Sequence, residues 1–150
     1  MNEASHHSDE AGTESLLAYA MLQQREWKGA AAHFQRALEN DEFNLGAEHG
    51  DLVIDLVGIG NAKLEDRDPK GALAPLERAY ALCNKLNDVE PGARGDTQLA
   101  LGRARWDAGG DRKAAHALVV DAKTTFTKLG KAKANELRDA NAWLAAHPQK

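Results

Sequence analysis

A single cysteine in 150 residues, Cys83, excludes an internal disulfide framework and a thiolate-built zinc cage. Four prolines and an aromatic content of 5% argue against a sandwich or barrel, whose turns and cores draw on both. No apolar run approaches the ~18 residues that a membrane-spanning helix requires. Residues Met1 to Glu10 are polar and acidic, without the basic start and apolar stretch of a signal peptide. The net charge is only −4, so there is no global basic excess to drive counterion release from nucleic acid. What is present is ordinary for one globular domain: 43% hydrophobic and 28% charged residues. These features lead us to expect a single helical domain in a reducing cytoplasm, with no membrane insertion and no nucleic-acid partner.

The charge is uneven along the chain. Residues 1–50 hold nine acids and three bases, and residues 51–92 hold eight and five. Residues 93–150 reverse the sign, with six acids against eleven bases. An acidic front and a basic rear can steer a partner or stack protomers head to tail. The alternative is that each helix simply solvates its outer face.

Self-similarity is the strongest signal. Ala30, Ala72 and Ala114 lie 42 residues apart, as do Ala18, Gly60 and Gly102. Leu17, Ile59 and Leu101 directly precede the second set, and Phe34, Leu76 and Leu118 follow the first by four. Ala37 and Ala79 continue the pattern, which Asp121 breaks in the third copy. Within one copy, Leu17, Ala18, Met21 and Leu22 make one helical stripe, and Ala30, Phe34, Ala37 and Leu38 make another. Small residues where axes cross and a large one beside them describe an antiparallel helix pair. Glycine inside a helix costs ~1 kcal/mol relative to alanine, so Gly60 and Gly102 are expected where close approach offsets it.

The punctuation agrees. Asp68-Pro69 and Asp111 read as helix starts, Asp51 as a cap, Gly109-Gly110 as a stop, and Gly130 as a glycine just past a helix end. Pro91-Gly92 punctuates the start of the third copy. Helices are expected near 13–25, 28–42, 51–66, 69–87, 94–108 and 111–129, with a seventh over 131–146. Leu137, Ala140, Trp143 and Leu144 give that last helix an apolar face, as a helix capping an open stack requires. Residues 1–12 read as an unstructured leader. The domain then runs over 13–147, in repeats of about 13–50, 51–92 and 93–130.

The sets Leu17-Ala18, Trp27, Ala30, Phe34, Ala37; Ile59-Gly60, Pro69, Ala72, Leu76, Ala79; and Leu101-Gly102, Ala114, Leu118 resemble the tetratricopeptide repeat. That likeness implies an all-α, right-handed solenoid of helical hairpins: three repeats and a C-terminal capping helix. The spacing of 42 resembles the longer repeats of kinesin light chains and bacterial signalling proteins. Leu99–Arg112 through Ala142–His147 is similar to the repeat-bearing tails of bacterial serine/threonine kinases. Lys63 and Arg105 depart from the pattern where Met21 is apolar, and no kinase catalytic motif is present.

Catalytic chemistry finds no footing. The six histidines lack metal-ligand spacing, and Cys83 reads as a packed thiol. Gly58-Ile-Gly60 mimics a dinucleotide fingerprint but lies where a helix interior is expected. Arg94-Gly95-Asp96 reads as a turn leading into a helix. We therefore expect no enzyme, no cofactor and no metal.

What remains is the face lined by the first helix of each pair. One register row there is Tyr19, Asn61 and Arg103; a second is Leu22, Leu64 and Trp106; a third is Gln23, Glu65 and Asp107. The expected peptide-binding groove is therefore Tyr19, Leu22, Asn61, Leu64, Arg103 and Trp106, suited to an extended peptide or a partner helix. Leu22, Leu64 and Trp106 have an alternative role, packing between neighbouring first helices. A regulatory kinase tail and a unit self-associating through the N-terminal stack end are the other functions weighed.

Overall fold

Turn chemistry sets the helix boundaries. The computed structural model describes the backbone of residues 3–149 and the side chains of residues 10–149. Among the described residues seven α-helices follow one another: α1 (Glu3–Gln23), α2 (Trp27–Leu45), α3 (Leu52–Glu65), α4 (Pro69–Lys85), α5 (Pro91–Asp107), α6 (Arg112–Leu129) and α7 (Ala134–Ala146). A single 3-10 turn, Gly130–Lys133, joins the last two. Among the described residues there is no strand. Each helix packs on the next in the chain, and α3 also touches α1 and α5. That is the contact pattern of stacked hairpins, an all-α solenoid.

The turn inside each hairpin is built the same way three times. Arg25 and Arg67 both adopt φ 62°, and Gly109 adopts φ 82°. The next amide in each case (Glu26, Asp68, Gly110) donates back five residues, to the carbonyls of Met21, Lys63 and Arg105 at 2.9, 2.8 and 2.8 Å. This is the Schellman closure of a helix end, and it satisfies carbonyls the helix leaves free. Two of the following helices are then capped by aspartate: Asp68 accepts from the Gly71 amide at 2.9 Å and Asp111 from that of Ala114 at 3.1 Å. Such caps contribute about 1 kcal/mol each.

The third turn is one residue longer, and this corrects the expected register. Glu26 and Asp68 precede α2 and α4 directly after the left-handed residue, but Gly110 intervenes before Asp111. Ala114 is accordingly only half-buried and Asp121 is exposed. Ala115 and Ala122 take the fully buried small positions instead. The inserted residue turns α6 by one position, so the break at Asp121 is a phase shift and not a lost contact.

Other boundaries differ from expectation for local reasons. Helix α1 begins at Glu3, so residues 3–12 are helical and do not form an unstructured leader. No proline interrupts that stretch, and Ala11 is buried at 3% exposure. Met1 and Asn2 lie outside the described residues. Helix α5 starts at Pro91, with Glu90 accepting from the amides of Gly92 and Ala93 at 3.1 and 3.2 Å. Arg94-Gly95-Asp96 is therefore inside a helix and not in a turn. Asp51 precedes α3 without making a side-chain cap. The capping helix is shortened at its start by the 3-10 turn, which Gly130 opens with φ 62°.

Small residues mark the crossings. Ala18, Gly60 and Gly102 are all buried. A Cβ on Gly60 would lie 2.4 Å from Leu76 Cγ, and one on Gly102 would lie 2.6 Å from Val119 Cγ2 and 2.8 Å from the Ala115 carbonyl oxygen. Leu76 at Gly60, Phe34 at Gly58 and Phe126 at Gly95 are completely buried, each worth about 1.5–3 kcal/mol relative to exposure. The large positions before the small ones behave unequally. Ile59 and Leu101 are 4% and 0% exposed, but Leu17 is 44% exposed and its neighbour Leu16 73%. Ile59 shares a buried cluster with Leu38 of the preceding hairpin's second helix. Among the described residues no such helix covers Leu17.

Candidate interaction surface

The first helices α1, α3 and α5 sit side by side, and their shared face carries the expected row residues. Tyr19 of α1 is 45% exposed, with its ring held edge-on against buried Phe34 at 5.0 Å between centroids. Burial, then the negative charges of Asp55 and Asp96, push the Tyr19 phenol above its ordinary range. Asn61 of α3 is half-buried. It makes no side-chain hydrogen bond among the described residues, so its amide donor and acceptor are both available. Arg103 of α5 is engaged, donating from Nη2 to Glu65 Oε1 of α3 at 3.3 Å. With both partners part-exposed, that bridge is worth little and is readily exchanged for another carboxylate.

The second row packs. Leu22 and Leu64 are half-buried against the main core cluster. Trp106 meets Trp143 of α7 edge-on at 5.3 Å and His147 at 5.0 Å, while the Arg112 guanidinium lies 5.0 Å over its ring. His147 in turn stacks on Trp143 at 4.1 Å and sits 2.7 Å, through Nδ1, from the Trp143 carbonyl. Trp106 thus adds an aromatic contact to α7, whose Ala140, Leu137 and Leu144 pack with Val119 and Phe126 of α6. A cleft of about 700 Å³ beside it is lined by Arg112, Lys113, His147 and Gln149.

Several residues at this face had no signal in the repeat pattern. Ile54 is 44% exposed beside Tyr19, and the two share a cavity of about 210 Å³ with Val57, Glu90, Ala93, Asp96 and Lys133. These come from α1, α3, α5 and the 3-10 turn. Lys133 Nζ lies 2.9 Å from Asp96 Oδ2 and 3.2 Å from Glu136 Oε1. Burial works to lower the Lys133 pKa, but those two hydrogen bonds hold it above the ordinary lysine range. Burial pushes the Asp96 carboxyl up, and the Lys133 hydrogen bond only partly offsets it. A lysine three residues past a helix-ending glycine is ordinary in sequence; its reach back to α5 is not visible there.

The departures from apolar pattern also find partners. Arg105 forks onto Glu77 of α4, Nε to Oε1 at 2.8 Å and Nη2 to Oε2 at 2.7 Å, so a bidentate pair replaces an apolar contact. Lys63 lies 3.9 Å from Asp68. Cys83 is buried, with its sulfur 3.8 Å from Thr97 Oγ1, and burial pushes the thiol up. A raised, packed thiol is a poor nucleophile. Gly58 and Gly60 lie inside α3 against Phe34 and Leu76, a packing arrangement and not a phosphate loop. His33 faces Glu14, and the His49 ring accepts from the Asp51 amide at 3.2 Å. The side chains of His6 and His7 lie outside those described. Among the described residues no group of three metal-ligating side chains converges, and no helix is long and apolar enough to cross a membrane.

Comparison with known proteins agrees with this architecture. The profile of the Tetratricopeptide repeat family matches residues 9–85. No curated protein matches the chain at a significant level. Among solved structures, the crystal structure of BtubC (BKLC) from P. vanneervenii superposes with a TM-score of 0.70 at 24% identity. That match covers 81% of this chain and 48% of the other, so the chain spans about half the length of that neighbour. At such identity the likeness is one of fold.

Proposed function

Because the chain belongs to the tetratricopeptide-repeat family, we propose that it is a non-catalytic protein-interaction module that binds an extended peptide or partner helix along the face of α1, α3 and α5. The observation that carries this reading is that Tyr19 and Ile54 stay 45% and 44% exposed there, around a cavity, while Asn61 of α3 has no hydrogen-bond partner among the described residues. Apolar groups give a peptide side chain somewhere to go, and an unengaged amide reads its backbone. Arg103 supports the same use, since a bridge to exposed Glu65 exchanges cheaply. Leu22 and Leu64 support it from beneath, and Trp106 acts through the capping helix. The test is affinity capture of the partner from the native cell by the intact chain. Tyr19→Ala with Asn61→Ala and Arg103→Ala is expected to abolish capture while leaving the circular dichroism spectrum unchanged. Capture that survives all three changes rejects the groove.

A second reading is self-association through the N-terminal stack end, favoured by exposed Leu16 and Leu17 at a position that later repeats bury. Sedimentation at increasing concentration distinguishes it. Leu16→Glu with Leu17→Glu would then dissolve an oligomer that the groove changes leave intact.

A further inference from the structure

The cavity under Tyr19 has a chemistry of its own. At about 210 Å³ it falls below the ~300 Å³ at which small-molecule pockets begin, and it suits one side chain of a longer ligand. Val57 and Ala93 are buried at 6% and 7% exposure, whereas Tyr19 and Ile54 stand exposed. A side chain entering there meets aliphatic carbon and the edge of a ring that Phe34 holds in place. The polar groups around it are unbalanced. Glu90 and Asp96 line the cavity with Lys133, whose ammonium is held by Asp96 and Glu136, so the carboxylates at the site outnumber its one ammonium. The first turn of α5 meets part of the Glu90 charge through the amides of Gly92 and Ala93. Lys131 of the same 3-10 turn is exposed and does not line the cavity. The Lys133 contacts use Asp96 Oδ2 and Glu136 Oε1, leaving a second oxygen on each.

We propose that this cavity is the specificity pocket of the groove, and that its ligand is a peptide carrying one large aliphatic or aromatic side chain directly beside a lysine or arginine. The apolar side chain fills the space between Tyr19 and Ile54. The adjacent cation takes the Asp96 oxygen that Lys133 leaves free, with the Glu90 carboxylate lining the same cavity, and completes a charge balance the chain alone leaves negative. This selection rests on the groove reading above and adds to it the sign of the partner's charge. An acidic ligand is excluded from this subsite by the same carboxylates.

Random dodecapeptides displayed on phage and selected on the intact chain provide the probe, followed by fluorescence anisotropy with the synthetic consensus peptide. Selection is expected to enrich a large apolar residue next to lysine or arginine. Ile54→Ser and Asp96→Asn should each weaken the consensus peptide by about tenfold or more, with an unchanged circular dichroism spectrum, and raised salt should weaken it further. Ile54 is exposed, so Ile54→Ser decides the matter alone if Asp96→Asn fails to fold. An acidic consensus overturns the pocket. So does a consensus insensitive to Ile54→Ser and Asp96→Asn but lost with Asn61→Ala and Arg103→Ala, an outcome that keeps the groove. Failure to enrich any sequence, or enrichment blind to both pairs of changes, overturns pocket and groove together.

Discussion

Ser15 and Asp55 are 40 residues apart, and the Ser15 hydroxyl donates to Asp55 Oδ1 at 2.8 Å. Asp55 is only 2% exposed, and its other oxygen is buried without a hydrogen-bond donor among the described residues. Burial above all, with the carboxyls of Asp41 and Asp51, raises its pKa to about 7 against the opposing Ser15 hydrogen bond. Helices α1, α2 and α3 therefore meet around a carboxyl that holds its proton to a higher pH than a free aspartate does. The proton supplies the donor that the orphaned oxygen lacks, with Asp41 to receive it.

Stability should fall as pH rises across the window between the unfolded value of 3.8 and the folded value of about 7. In that window the folded chain keeps a proton the unfolded chain has lost, so each pH unit removes about 1.4 kcal/mol. Asp55→Asn cannot titrate. Its urea midpoint is expected to change less than that of the parent between pH 5 and pH 8, and to exceed it at pH 8. Parallel pH profiles would show that the folded carboxyl is ionised throughout.

Two glycines inside helices should respond in opposite directions. A Cβ on Gly102 meets a backbone oxygen at 2.8 Å, which cannot swing away, so Gly102→Ala is expected to cost ~1–3 kcal/mol. Gly12 in α1 has nothing within 4 Å, so Gly12→Ala is expected to stabilise by up to ~1 kcal/mol through helix propensity. Chemical denaturation of both variants checks the pair.

The aromatic fastening of the last helix is open to spectroscopy. Trp143→Ala removes the face on which both Trp106 and His147 rest. The tryptophan emission of the variant should shift to the red as Trp106 becomes hydrated. Its loss of stability should be about 2 kcal/mol, below the ~3–5 of a fully buried aromatic. Unchanged emission would mean that Trp106 does not depend on α7.

Equivalent positions in successive repeats should tolerate charge unequally. Leu17→Glu, at an exposed site, should leave the unfolding midpoint within about 0.5 kcal/mol of the parent. Ile59→Glu, at 4% exposure, would bury an unpaired carboxylate and should prevent cooperative folding. Thermal unfolding followed by circular dichroism gives both answers.

The proposed groove was only partly legible in the sequence. Register arithmetic placed Tyr19, Asn61 and Arg103 on first helices, because a 3.6-residue period carries side-chain direction with it. The same arithmetic placed Leu22, Leu64 and Trp106 in the groove too, with packing between neighbouring first helices as their alternative role. Whether such a side chain faces a ligand or a neighbouring helix depends on what is stacked beside it, and for Trp106 that neighbour is α7.

Sequence alone determined the helical class, the hairpin turns and most caps of this protein, since each rests on chemistry within a few residues. Asp68 reaches the Gly71 amide and Asp111 that of Ala114 because three residues is the span of a capping side chain. Tertiary structure decided everything that depends on superposing turns of the stack. The extra residue at Gly110 moved burial from Ala114 to Ala115, and the 3-10 turn carried Lys133 back to Asp96, 37 positions away. It also buried Asp55 beneath Ser15, within the otherwise apolar run Leu52–Val57. A pattern of period 3.6 fixes which way a side chain points along its own helix. Which charge it meets there is set by the packing of other helices, and no local spacing records that.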